Sequence, residues 1–74
     1  MTAISDVITG KASPADLQPW QRAGLSMAVY RLSCEILAMP ISERKKAGES
    51  LPADIRDLVR AECQRIIQYR KSGH

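Results

Sequence analysis

Hydrophobic positions along this chain recur at intervals of three and four residues, the spacing of one helix face, and no segment alternates with the period of two that marks a strand. Residues 3 to 9 (AISDVIT) predict two turns of helix with Ile4, Val7 and Ile8 on one face and Gly10 as the stop. Residues 1 to 12 are expected to form a loosely held arm. Ser13 then offers an N-cap, Pro14 a first helical residue and Asp16 a favourable first-turn charge, while Pro19 disfavours helix at Gln18 and predicts a break there.

From Pro19 to Met39 the pattern predicts a helix of about 20 residues. Leu25, Val29, Leu32 and Ile36 form one apolar stripe; Trp20, Met27, Tyr30, Cys34 and Leu37 form a second on roughly the opposite side. Polar residues keep narrow strips, Arg22, Ser26 and Ser33 in one, Gln21 and Glu35 in another, with Arg31 isolated. A helix apolar on two sides must be covered on two sides, so it is the centre of the fold or part of an interface.

Beyond Pro40, Ser42 as N-cap, Glu43 in the first turn, the basic run Arg44 to Lys46 and Gly48 as stop predict a short helix. Ser50, Pro52 and Asp54 repeat the start signals for a second long helix over 52 to 70. Its apolar side chains, Ile55, Leu58, Val59, Cys63, Ile66, Ile67 and Tyr69, share one face, as in a surface helix with one flank on the core. Lys71 to His74 read as a frayed tail, and no internal repeat stands out. These elements predict an all-α fold: a small helical bundle with two long antiparallel helices, about 19 to 38 and 52 to 70, and one to three short helical turns.

Composition narrows the class further. The chain has 74 residues, 45% hydrophobic and 26% charged, enough for one domain, 1 to 74, with a thin core. Aromatic residues are limited to Trp20, Tyr30 and Tyr69, which favours aliphatic helix packing over a sheet. Two cysteines are too few for the disulfide framework of a small secreted domain, and neither an export signal nor a membrane span is visible, so a cytoplasmic protein is expected. The net charge of +3 tolerates an anionic partner without requiring one.

Little in the chain predicts chemistry. Its single histidine is His74, at the end of the predicted tail, where it has no orienting neighbour. Cys34 and Cys63 stand on different helices without metal-ligand spacing; they read as buried small hydrophobes or, if their Cα atoms lie within about 7 Å, as a bridge. Asp54, Asp57 and Glu62 fall near Arg56, Arg60 and Arg65 and read as a charged face, except that Glu62 points into the apolar sector and must lie at its edge or pair with a basic residue from another element. Without a phosphate loop, metal motif or nucleophile elbow, no catalytic residue, metal or cofactor is expected, and the protein is read as not an enzyme.

Two surfaces remain as binding candidates. Trp20, Met27 and Tyr30 would anchor a protein partner or a second copy of the chain if the helix at 19 to 38 is not fully covered, and are core otherwise. Arg44, Lys45 and Lys46, followed by a turn and a helix carrying Arg56 and Arg60, suggest the alternative of a small DNA- or RNA-binding protein. Asp54 and Asp57 at the start of that helix would repel phosphate.

At LAMPISERKKAGESLPADIRDLVRAECQRI, through Leu37 to Pro40, Arg44 with Lys45, and Leu51 to Arg65, the chain resembles short helical accessory proteins of temperate bacteriophages. The resemblance implies a non-catalytic inhibitor or modulator that occupies a surface of a host complex, such as a defence system or regulator.

Overall fold

A computed structural model describes residues 2 to 72; Met1, Gly73 and His74, including the histidine and the end of the expected tail, lie outside them. The regular structure is all helical: α1 (Ile4–Ile8), two single 3-10 turns (Pro14–Asp16 and Pro19–Gln21), α2 (Arg22–Ala38), α3 (Ile41–Glu49) and α4 (Ala53–Lys71). Ser13 caps the first turn as expected: its Oγ accepts from the Ala15 amide at 3.3 Å, and its own amide donates to Asp16 Oδ2 at 3.0 Å. Leu17 and Gln18 are extended, so the chain breaks before Pro19.

The segment expected to be a loose arm is part of the core. Val7 is 1% exposed and Leu17 4%, with Ile4, Ile8 and Ala12 packed around the same cluster. Two features draw it in. Gly24 on α2 has no Cβ, and one placed there would stand 2.6 Å from Ile4 Cδ1, so the tip of Ile4 occupies space that a side chain on α2 would otherwise take. Gln21 is buried, donates from Nε2 to the Thr2 carbonyl at 2.7 Å and accepts the Gln18 amide at 2.9 Å, tying the start of the chain to the start of α2. Gly10, at φ +86°, turns the chain out of α1.

The two long helices meet near their middles. Ser33, assigned by pattern to a polar strip of α2, is completely buried there. Its Oγ donates to the Val29 carbonyl at 2.8 Å and lies 3.5 Å from the Val59 carbonyl of α4, so a small residue with a satisfied hydroxyl sits where the helices touch. Around it, Leu25, Val29 and Ile36 of α2 pack with Ile55 and Val59 of α4, joined by Val7 and Leu17. Cys34 and Cys63 are half-buried free thiols, the latter 3.9 Å from the Ser33 carbonyl.

Three predicted helix signals act differently in the structure. Pro40, not Ser42, precedes the first residue of α3. That helix runs through Gly48 to Glu49, because its C-terminus is closed from outside. Ser50 does not open α4; its Oγ donates back to the Ala47 carbonyl at 2.8 Å, and Pro52 precedes α4. A short repeat that the pattern analysis missed governs both junctions: proline followed four positions later by arginine, Pro40 to Arg44 and Pro52 to Arg56. In each case the arginine reaches back to the carbonyls ending the previous helix. Arg44 donates from Nε to Met39 at 3.0 Å and from Nη2 to Leu37 at 2.9 Å. Arg56 donates from Nε to Gly48 at 3.1 Å and from Nη2 to Glu49 and Leu51 at 3.2 and 3.3 Å. At the far end α4 reaches Lys71, and Ser72 closes it with its Oγ on the Tyr69 carbonyl at 2.8 Å, so this much of the expected tail is ordered helix end.

The radius of gyration, 12.9 Å, exceeds the value of about 11 Å for a compact domain of this length. The overall dimensions are 41 × 25 × 14 Å, a flattened shape in which much helix surface stays at solvent.

Candidate partner-binding face

The inner stripe of α2 is consumed by the core, but the outer one is not. Trp20 is 66% exposed, Met27 71% and Tyr30 50%, whereas Leu25 and Val29 on the opposite side are buried. The core reading of these three side chains therefore fails, because the rest of this short chain covers α2 on one side only. Cys34 and Leu37, which continue the outer stripe, are half-buried.

Beside this stripe lies a shallow groove of about 780 Å³ lined by Met27, Tyr30, Arg31 and Cys34 from α2 and by Glu62 and Arg65 from α4. Tyr30 and Arg65 also line a second hollow of about 380 Å³, together with Ile66, Tyr69 and Arg70. Glu62 takes its expected place at the edge of the apolar sector, but its partner is Arg65 of its own helix, with Nε at 3.0 Å, and not a residue from another element. That pairing raises the Arg65 pKa from its ordinary value. The Cys34 thiol, as hydrogen-bond partner and as neighbouring acid, raises the Tyr30 phenol as well.

The basic candidates divide. Arg44, Lys45, Arg56 and Arg60 line one hollow of about 340 Å³ together with Glu49, while Lys46 is exposed outside it. Two of these cations are already engaged, since Arg44 and Arg56 hold main-chain carbonyls at the helix ends. Lys45 and Arg60 are the exposed members.

Pattern analysis missed Arg31, Arg65 and Arg70 as neighbours of the outer stripe. Arg31 stands four residues after Met27, beside the outer stripe on the wheel of α2 itself, whereas Arg65 and Arg70 belong to α4 and come to the stripe only where the two helices pack, which the pattern along either helix does not show. Among the described residues no group of three or more His, Cys, Asp or Glu could hold a metal ion, and no helix is long and apolar enough to cross a membrane. Comparison with protein-family models, curated proteins and solved structures gives no match for this chain.

Proposed function

We propose that this chain is a stoichiometric protein-binding module whose contact surface is the outer face of α2, anchored by Trp20, Met27 and Tyr30. The observation that carries the reading is the exposure of Met27 and Tyr30 on the side of α2 opposite its buried Leu25 and Val29, with the exposed Trp20 in the 3-10 turn just before the helix. Aromatic and methionine side chains present large contact area at low ordering cost, the composition of interface anchors. Following the resemblance at residues 37 to 65, we assign the module to the phage accessory class, acting in the cytoplasm as an inhibitor or modulator that occupies a surface of a host complex.

The test is affinity capture from a host lysate with the tagged chain and with Met27→Glu and Trp20→Ala versions of it. The reading expects a protein retained in a fixed ratio by the native chain and lost from both variants. Retention that ignores both substitutions, or no retained protein, would overturn it.

A second reading has one observation in its favour, the gathering of Arg44, Lys45, Arg56 and Arg60 around a single hollow. Nucleic-acid binding there predicts affinity for random DNA or RNA that falls steeply with salt and is removed by neutralising Lys45 and Arg60. Absence of binding at low salt would exclude it.

A further inference from the structure

We infer that the face at Met27 and Tyr30 receives an amphipathic helix of another protein whose apolar stripe is flanked by acidic residues. The inference rests on the protein-binding reading above and specifies the chemistry of the partner. Its basis is the charge that borders the apolar surface. Arg31 and Arg65 line the groove beside Tyr30, and Arg65 and Arg70 line the second hollow. Among the residues lining these two depressions the one acid is Glu62, and it is bonded to Arg65. Arg31 and Arg70, both exposed, are thus the cations left to meet charge from outside. Met27 and Tyr30, with the half-buried Cys34, supply the open apolar surface between them, while Ile66 is already buried, so the surface is an apolar strip with cationic neighbours. Such a strip accepts a helix through side chains at three- and four-residue spacing, with the cations selecting the charge of its flanks.

The same cations argue against a second copy of the chain as occupant. In a two-fold contact the same patch appears on both sides, so each copy would bring its three arginines to one interface in which the patch's single lining acid, Glu62, is already bonded to Arg65. A single-stranded nucleic acid would satisfy the arginines and could stack on Tyr30, but would leave the exposed Met27 without apolar contact.

The experiment is a selection, on the immobilised full chain, from a display library of helical peptides with a fixed leucine stripe and randomised flanks. The expected result is enrichment of Asp and Glu at the flanks, each acid improving Kd by up to about fivefold, as for an exposed ion pair. Enriched peptides should lose binding to a Met27→Glu chain. A chain carrying both Arg31→Glu and Arg70→Glu, shown by circular dichroism to keep its helicity, should select basic flanks instead.

Peptides that bind through Met27 without charge bias would overturn the acidic-partner inference while leaving the binding face in place. If no peptide depends on Met27, the helical-partner inference fails, while the lysate capture decides the protein-binding reading separately. A dimer in ultracentrifugation that Met27→Glu dissociates would overturn the inference in favour of a second copy. Binding of oligothymidylate, or of vesicles containing phosphatidylserine, abolished by Tyr30→Ala would overturn it in favour of those ligands.

Discussion

The guanidinium of Arg56, in the first turn of α4, donates to the carbonyl of Gly48 near the end of α3 at 3.1 Å. Arg44 does the same for α2, so two residues that the sequence presents as members of a basic cluster act as caps. Replacing Arg56 by Met keeps the aliphatic stem and removes three donated hydrogen bonds. Because the group is partly exposed, the expected loss is about 1–2 kcal/mol in urea unfolding, the lower part of the range for hydrogen bonds to charged groups. Arg44→Met should behave alike, whereas Lys45→Gln and Lys46→Gln should stay within about 0.5 kcal/mol of the native chain.

Burial of Ser33 at the helix crossing sets a size limit. Ser33→Ala removes a hydroxyl bonded mainly to its own helix and should cost less than about 1 kcal/mol, in line with the net worth of a typical hydrogen bond. Ser33→Leu forces α2 and α4 apart and should cost about 1–3 kcal/mol or more by overpacking. Equal effects of the two substitutions in thermal unfolding would contradict the assigned contact.

The glycines separate backbone from packing. Gly10 has φ +86° and a Cβ there would lie 3.2 Å from Pro52 Cγ, so Gly10→Ala should destabilise by about 1–2 kcal/mol, the penalty for a side chain in left-handed backbone. At Gly24 the obstacle is the tip of the Ile4 side chain, which can turn aside. The gain in helix propensity, about 0.8–1 kcal/mol, opposes that displacement, and Gly24→Ala should lie within about 1 kcal/mol of the native chain. Loosened protection of the Val7 amide in hydrogen exchange would report the shift of α1.

The phenol of Tyr30 is held above its ordinary value of 10.0 by the Cys34 thiol beside it. A raised value means the fold favours the neutral phenol, so this contribution is complete below pH 10 and is lost as pH climbs through the folded value. NMR titration of the Tyr30 ring should show a lower midpoint in Cys34→Ala. An unchanged midpoint would show that the two side chains do not interact.

Much of this architecture was legible in the sequence. Periodicity placed both long helices, and the Ser13, Pro14 and Pro19 signals placed the break between the short turns, since these depend on neighbours along the chain. Ser33, Gly24 and Arg56 were not legible in the same way. A buried serine and a polar-strip serine have the same helical angle, and a glycine inside a helix shows its purpose only when Ile4 arrives against it. The arginine caps hid inside a charge cluster because local order does not reveal that a guanidinium is already bound to carbonyls. For the candidate face, the double apolar stripe of α2 was visible in advance. Which stripe would remain open depended on where α1 and α4 docked.

The central claim, that Trp20, Met27 and Tyr30 form a face left open by the fold, is tested most directly by the unfolding free energy of Met27→Glu in urea. A side chain 71% exposed and outside the core should tolerate the charge with a change within about 0.5 kcal/mol. A loss above about 2 kcal/mol, the size expected for disrupting a buried methionine, would place Met27 in the core and contradict the account.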